Sequence, residues 1–483
     1  MQKRLIKALC ISIFSRPQSH THSKQVADCY RRFCRMQKIG ELKERKVLVL
    51  GLGVSGAAAA SFLLSRGAKV TGVDKNAQLP LVHPPVAQLL ARGMIFKNEE
   101  NIDNPADFDL VIVSPGIPPA HPLYRMAQKR GIEVIGEAEL ALREVSVPCL
   151  AVTGTNGKTT VTLLTTHILQ SSGIRAIALG NVGTPLTAAL EKVNSEQADV
   201  FVIELSSFQL ETLTTRFIDT GVILNITPDH LDRYESIEDY AKAKTGMEKN
   251  LKEGGKLFVE NQCLSRFGSF FKHKAHASYG FAEGDSLFSD LIEVYFENNR
   301  IFSLPKIFGG KRSHETENMM AAFALCHSLS ISPKNFLIGL ASFQKPPHRI
   351  EFIKTIGGVN FYDDSKGTNI DAVIRAVECL EGEIILIAGG VDKGFPYTSW
   401  IDAFGGKVKM VCAIGESKEK IQNDLKTSMP VKIFSTLDQA VAYAAHLAKP
   451  GDNVLFSPGC SSFDMFKDYI HRGLEFQRLI NAL

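Results

Sequence analysis

The 483-residue chain has no apolar run approaching the ~20 residues needed to cross a bilayer, which argues against a membrane-spanning helix. It has no Cys-x-x-Cys pair, and its nine cysteines (Cys10, Cys29, Cys34, Cys149, Cys263, Cys326, Cys379, Cys412 and Cys460) are odd in number. That pattern argues against a closed disulfide framework and reads as reduced thiols in a cytosol. Strong charge of one sign is also missing. A net +4 over 22% charged residues gives no field that would select nucleic acid or an anionic membrane. Internal repeats and low-complexity tracts do not stand out.

Acids are nearly missing from the first ~35 residues, where Lys3, Arg4, Lys7, Arg16, Lys24, Arg31, Arg32 and Arg35 face Asp28 alone. A basic, acid-poor segment fits a transit peptide, although its serines are few. It also fits a disordered tail, or a translation start at Met36, because Met36-Gln37-Lys38 leads into the first strand. The composition favours the last two. Residues 1–40 are therefore expected to form a basic extension outside the folded domains.

What is present is a repeated alternation of apolar strand-like runs and amphipathic segments from Lys46 onward, the pattern of parallel sheets covered by helices. The length, at ~100–200 residues per domain, suggests about three domains, with boundaries expected near Gly136 and Lys345. In the first, Lys46–Leu50 reads as a buried strand, Gly51–Gly56 as a turn, Ala57–Arg66 as a helix stopped by Gly67, and Lys69–Val73 as a strand delivering Asp74 to its end. A strand Leu110–Val113 runs into Ser114-Pro115-Gly116-Ile117-Pro118-Pro119, a candidate ligand loop. The second opens with Cys149–Val152, and strands Val200–Leu205 and Gly221–Ile226 are expected in the same sheet. The third is expected to contain strands Val359–Tyr362, Ile384–Ala388, Val408–Ile414 and Val454–Phe456.

The segment Gly154-Thr155-Asn156-Gly157-Lys158-Thr159-Thr160 lies between a strand and a helix carrying Val161, Leu164 and Ile168. Backbone N–H groups and a helix N-terminus there converge on an anion, so phosphate binding is the strongest inference from residue chemistry. Lys158 would neutralise β/γ-phosphate charge and the Thr159 hydroxyl would be a hard ligand for Mg²⁺. The spacing is Gly-x-x-Gly-Lys-Thr, with Val152 where the longer motif has its outer glycine. Glu204 ends a neighbouring strand, where a carboxylate is costly to bury without a partner and useful beside a divalent ion. His230, in Asn225-Ile226-Thr227-Pro228-Asp229-His230-Leu231-Asp232-Arg233-Tyr234, follows another strand; a lone histidine reads equally well as structural. Lys242 and Lys244, in an Ala-Lys-Ala-Lys stretch, read first as solvated surface.

Together these residues resemble the Mur ligase family, over nearly everything after residue 40. The segments Glu204-Leu205-Ser206-Ser207-Phe208-Gln209-Leu210-Glu211, Asp364-Ser365-Lys366-Gly367-Thr368-Asn369 and Ser457-Pro458-Gly459-Cys460-Ser461-Ser462-Phe463-Asp464-Met465-Phe466 are similar to those of its D-glutamate-adding members. The Asp-Asn-Pro-Arg segment of the diaminopimelate-adding relatives is not seen. The resemblance implies an α/β fold of three domains: a Rossmann-like UDP-substrate domain over 41–136, a central P-loop ATPase-type parallel sheet over 137–345, and a Rossmann-like amino-acid-binding domain over 346–483. It implies ATP-dependent ligation of D-glutamate to UDP-N-acetylmuramoyl-L-alanine through an acyl phosphate, by a cytoplasmic monomer with two Mg²⁺ ions.

Carried over by position, the resemblance implies that Thr159 and Glu204 hold one Mg²⁺, and that His230 and a carbamylated Lys244 hold the second, around the catalytic Lys158. His348, Arg349, Asp364 and Lys366 would complete the ATP site begun by Gly154 to Thr160. The turn with Gly51, Gly53, Val54, Ser55 and Gly56 would take the UDP group together with Asp74 and Gly116, with Asn181 nearer the reacting end. Thr368, Lys393, Ser462, Phe463 and Tyr469 would hold D-glutamate; without the family, Phe463 and Tyr469 read equally well as core. Two departures stand out. His314-Glu315-Thr316-Glu317-Asn318 replaces a common His-Asn-x-x-Asn, which puts ATP affinity in question, and Asn76 stands where a basic residue often follows the uracil-side acid. Other readings are a nicotinamide-dependent oxidoreductase built on Gly51-x-Gly53-x-x-Gly56, a non-catalytic nucleotide-binding regulator, and a muramyl or folylpolyglutamate-type ligase with another acceptor.

Overall fold

The computed structural model describes residues 42–483 apart from 103–104, 182–183, 193–197, 231–232, 273–275, 307 and 309–311, so the basic extension expected over 1–40 lies outside the described residues. The chain divides into two compact units, one of Met1–Ala151, Gly173–Thr220 and Lys249–Gly255, the other of Val152–Ser172, Gly221–Glu248 and Lys256–Leu483. Three sheets carry the fold.

The first sheet contains β1 (Lys46–Leu50), β2 (Lys69–Asp74), β3 (Ile95–Asn98), β4 (Leu110–Val113) and β5 (Val134–Gly136), in the order β3-β2-β1-β4-β5 and parallel throughout. Val47 and Val49 pack with Val70, Leu110 and Ile112 on one face, while Leu48 and Leu50 pack with Val73, Val111 and Val113 on the other. Successive residues of a strand point to opposite faces, so an unbroken apolar run makes a strand that is covered on both sides. The helix Val54–Ser65 begins three residues before the expected Ala57, because Gly53 already takes the extended N-cap conformation; Gly67, at φ +77°, follows its end as expected. The order reverses between β1 and β4, and the crevice at such a reversal is where open α/β sheets bind ligands.

The second sheet holds β6 (Cys149–Thr153), β7 (Ala176–Gly180), β8 (Val200–Glu204), β9 (Ile218–Ile223), β10 (Leu251–Glu260), β11 (Ala277–Gly280), β12 (Leu287–Ser289), β13 (Glu293–Phe296) and β14 (Asn299–Ser303). Its order is β14-β13-β12-β11-β10-β9-β6-β8-β7, which confirms β6, β8 and β9 in one sheet. β9 runs three residues earlier than the expected Gly221–Ile226. Leu224 and Asn225 have left the strand, and their backbone groups bond Thr153 and Thr155 at 2.9 and 2.7 Å. The antiparallel pairs β12–β13 and β13–β14 were not foreseen from the sequence.

The third sheet contains β15 (Glu351–Ile356), β16 (Val359–Asp363), β17 (Ile384–Gly389), β18 (Val408–Ile414), β19 (Val431–Ile433) and β20 (Asn453–Phe456), in the order β15-β16-β20-β17-β18-β19. β15 is antiparallel to β16 across Gly357 and Gly358, whose φ values of +56° and +81° suit a tight hairpin. The other pairings are parallel. Leu386, Ala388 and Trp400 belong to the core on one face, and Ile385, Ile387 and Phe476 to the core on the other.

Candidate active site

The phosphate loop is shaped by two glycines and by Asn225. Gly154 and Gly157 have φ of +151° and +85°, and a Cβ on them would meet Leu224 Cβ at 2.7 Å and Asn318 Oδ1 at 2.4 Å. Any side chain there is excluded by both strain and space. Asn225 accepts from Asn156 N at 2.9 Å through its side chain and donates to Asn156 O at 3.2 Å. The helix Lys158–Ser171 starts directly after Gly157, so its free N–H groups face the loop. Thr159 and Thr160 are half-buried in its first turn, and Lys158 Nζ donates to Thr155 O at 2.7 Å.

Lys244 overturns the solvated-surface reading: it is 1% exposed, whereas Lys242 is exposed and paired with Asp239 at 2.9 Å. Residues two apart on a helix point about 200° apart, so the two lysines of Ile237–Thr245 cannot share an environment. Lys244 Nζ donates to Gly154 O at 2.7 Å and lies 4.6 Å from the Tyr240 ring centre. Tyr240 in turn bonds Thr155 Oγ1 and lies 6.1 Å from His230. His230 has a left-handed φ of +57°, which aims it back over Asp229. Burial alone would raise the Asp229 carboxyl, but Lys393 at 3.0 Å, with His230 and Lys158, holds it below the ordinary carboxylate range.

Residues after β16 reach the same loop. Asn156 Nδ2 donates to Asp371 Oδ2 at 2.6 Å, and that oxygen also accepts from Thr227 Oγ1 at 3.2 Å and Arg375 Nε at 2.7 Å. Asn369 donates to Asn156 Oδ1 and Asp229 Oδ2 at 3.1 and 3.3 Å. Asp371, Asp229 and Asn225 were not singled out from the sequence. The polar run Asn225-Ile226-Thr227-Pro228-Asp229 at a strand end was the signal for two of them.

A second network surrounds His348, which is buried at φ +65°. Its Nδ1 lies 2.7 Å from Asp363 Oδ2, its N donates to Glu351 Oε2 at 2.7 Å, and Gln477 Nε2 donates to both carboxylates. The His348, Glu351 and Asp363 donor atoms lie within 4.8 Å of one another. They are already tied by these bonds, and the Asp363 hydrogen bond raises the His348 pKa, so the cluster reads as a brace for the His348-Arg349 turn. Lys366 N bonds His348 O at 3.1 Å, and Lys366 Nζ stands 3.9 Å over the Tyr469 ring. Asp364 is buried and accepts from Ser457 Oγ at 2.6 Å; burial pushes its pKa up to about 7. Thr368 is half-buried and Ser462 buried. Phe463 is 74% exposed, so it is not core, and half-buried Tyr469 begins the last helix.

In the other unit, Glu204 is 1% exposed at the end of β8. Asn181 Nδ2 donates to its Oε1 at 2.8 Å, while its Oε2 is buried and has no partner among the described residues. A buried carboxylate oxygen left unbonded is expensive, and a cation is the natural complement. At the β1/β4 reversal, Asp74 Oδ2 accepts from Leu52 N at 2.9 Å and Ser114 Oγ donates to Gly51 O at 2.6 Å. A Cβ on Gly56 would lie 1.8 Å from Gly51 O, whereas one on Gly53 or Gly116 would meet nothing within 4 Å. Val54 is 69% exposed and Ser55 half-buried beside this open backbone. Asn76 accepts from Gln78 N at 3.0 Å and so extends the Asp74 turn, and Glu315 is paired with Lys345.

Three family models match the chain, one after another along its length. The Mur ligase MurD-like N-terminal domain matches residues 45–136, the Mur ligase middle domain 152–326, and the Mur ligase glutamate ligase domain 348–460. The UDP-N-acetylmuramoylalanine--D-glutamate ligase of Protochlamydia amoebophila is 49% identical over 439 residues, 91% of this chain and 98% of that protein. The ligase of the same name from Geotalea daltonii is 38% identical over 451 residues, 92% of this chain and 98% of that one. Among solved structures, the MurF ligase of Thermotoga maritima in complex with ADP aligns with a TM-score of 0.57 at 16% identity, covering 92% of this chain and all of that one. UDP-N-acetylmuramate-alanine ligase from the same organism aligns at 0.55 and 18%, covering 91% and 100%. With a relative this similar along almost its whole length, and with all three domain models matched in order, the chain belongs to the Mur ligase family.

Proposed function

We propose that this enzyme joins the amine of D-glutamate to the L-alanyl carboxylate of UDP-N-acetylmuramoyl-L-alanine, consuming ATP, in peptidoglycan synthesis. The names of the relatives at 49% and 38% identity support the substrates. The observation that carries the chemistry is the phosphate loop with buried Lys244 bonded to its Gly154 carbonyl. A nicotinamide site at Gly51 to Gly56 would leave that loop without a role. The expected domains, 41–136 for the UDP substrate, 137–345 for ATP and 346–483 for the amino acid, follow the same reading.

A carboxylate resists amines because its leaving group would be oxide. Transfer of the γ-phosphoryl group to the alanyl carboxylate gives an acyl phosphate and ADP, and in-line positioning with charge stabilisation accounts for that step. Gly154 to Thr160 would cradle the ATP phosphates, with Lys158 neutralising charge and Arg349, Lys366, His348 and Asp364 completing the nucleotide site. The deprotonated D-glutamate amine attacks the acyl carbon, and the tetrahedral intermediate expels phosphate. Thr368, Lys393, Ser462, Phe463 and Tyr469 would orient that amine. Gly51, Gly53, Val54, Ser55, Gly56, Asp74, Gly116 and Asn181 would hold the UDP substrate.

The donor chemistry at Glu204 fits Mg²⁺, because its buried oxygen has no partner among the described residues and is a hard ligand, and the Thr159 hydroxyl would be a hard ligand for the same ion. His230 would serve a second together with Lys244, which as a carbamate becomes an anionic oxygen donor. When bound, the ions would offset charge on the transferring phosphoryl group. The deciding experiment is phosphate release by purified protein given ATP, UDP-N-acetylmuramoyl-L-alanine and a panel of L- and D-amino acids. Release with D-glutamate alone is expected; equal release with other amino acids, or none with any, refutes the reading.

A further inference from the structure

The last helix, Tyr469–Ala482, packs on the turn that carries His348 and Arg349. A Cβ on Gly473 would lie 2.2 Å from His348 Nδ1 and 2.4 Å from Ser365 Oγ, so the helix comes this close because that residue is glycine. Arg472 Nη2 donates to Ser365 O at 2.8 Å, and the Tyr469 ring meets the His348 ring edge-on at 6.4 Å. One helical turn further on, Gln477 reaches the carboxylates that hold His348.

The turn itself is held in backbone conformations that cost free energy. His348 and Ile350 have φ of +65° and +49°, and the left-handed region is least tolerated by a β-branched residue such as Ile350. Such conformations persist where the surrounding bonds over-determine them. Here Glu351 Oε2 accepts from the His348 backbone N–H at 2.7 Å, while Asp363 Oδ2 lies 2.7 Å from the His348 ring nitrogen. Asp363 Oδ1 also accepts from Ser365 N at 2.8 Å, one residue before Lys366. The same two oxygens, Glu351 Oε2 and Asp363 Oδ2, accept from Gln477 Nε2 at 3.2 and 2.9 Å. They lie within 4.8 Å of each other, where like charges repel, and the Gln477 amide supplies donors to both without titrating itself.

We propose that Gln477 is a positioning residue for ATP: its amide joins the Glu351 and Asp363 carboxylates and so keeps the strained His348–Ile350 turn, with Arg349 and the neighbouring Lys366, in the shape that receives the nucleotide. This rests on the assignment of His348, Arg349 and Lys366 to ATP. The test is steady-state phosphate release by the full chain, wild type against Gln477→Leu and Gln477→Lys, with ATP, the UDP substrate and D-glutamate varied in turn. Gln477→Leu, of similar size but without a donor, is expected to raise KM for ATP about tenfold, the worth of one hydrogen bond to a charged group. KM for the other two substrates should stay within about twofold. Gln477→Lys, which places donors between the carboxylates on a flexible stem, should hold KM for ATP within about threefold of wild type. An unmoved KM for ATP in Gln477→Leu, a rise shared equally by all three substrates, or a lysine variant as impaired as the leucine one overturns the inference. Should Gln477→Leu not fold, Gln477→Asn, which draws the amide back by one methylene, decides in its place: the same ATP-selective rise supports the inference, and its absence refutes it. Arg349→Ala, measured alongside, separates the two readings. An unmoved KM for ATP in that variant overturns the assignment and this inference together, whereas a raised one there with an unmoved one in Gln477→Leu overturns the inference only.

Discussion

Asp364 can be tested by removing its ability to ionise. Its carboxyl is 6% exposed, and burial, against the opposing pull of Ser457, Arg349 and the Ile350 N–H, pushes its pKa from 3.8 up to about 7. The folded protein therefore keeps a proton that the unfolded chain releases at lower pH. The stabilisation is fully present below the unfolded pKa and is lost as pH rises through about 7. The whole gap corresponds to ~4 kcal/mol, of which ~3 kcal/mol falls between about pH 5 and pH 8. Asp364→Asn keeps the shape and stays neutral, so its stability profile should lack this component. His348, whose pKa is raised by Asp363, also loses stabilisation as pH rises above 6.5, and Asp363, held low despite burial, loses its own only toward acid. Both remain in the variant, so the difference between the profiles is dominated by Asp364. The sole tryptophan, Trp400, is fully buried in the third sheet's core and reports its unfolding by fluorescence in a denaturant titration. The variant should gain ~3 kcal/mol relative to wild type from about pH 5 to pH 8; parallel profiles would refute the buried neutral carboxyl.

Gly56→Ala should weaken binding of the UDP substrate by ~1–3 kcal/mol, because its Cβ would press on Gly51 O at 1.8 Å and displace the turn; unchanged calorimetric affinity would contradict that. Asp371→Ala removes the acceptor shared by Asn156, Thr227 and Arg375, and should raise KM for ATP about tenfold while leaving the fold intact. Lys158→Ala should abolish phosphate release in a protein with a normal melting profile. Lys244→Ala should be inactive yet partly revived by added formate or acetate, and a folded variant that no short carboxylate revives would speak against the carbamate.

Much of the fold was legible because parallel strands buried on both faces write themselves as unbroken apolar runs, and the turns after them need glycine. Lys46–Leu50 followed by Gly51 is one instance, and Cys149–Thr153 followed by Gly154 another. The meander β12–β14 was not legible, since its short strands mix exposed and buried residues without a sustained period. β15 was hidden for a similar reason, its residues being partly exposed at a sheet edge. In the site, the glycines and Lys158 announced themselves by local spacing. Asp371, Gln477 and Arg472 did not, because their partners lie 215, 114 and 107 residues away for Asn156, Asp363 and Ser365. Lys244 was obscured by its lysine neighbour, although helical geometry alone separates the two.

On the proposed assignment of Lys393 to D-glutamate, its pair with Asp229 would give that site a built-in competitor. Any anion arriving at that ammonium would have to outbid the buried Asp229 carboxylate already held at 3.0 Å. A guest with one acid group would merely trade like for like, whereas one with two can exchange the internal partner and still have a second handle to grip elsewhere. On that reading, selectivity would begin with a side chain of the protein impersonating the ligand.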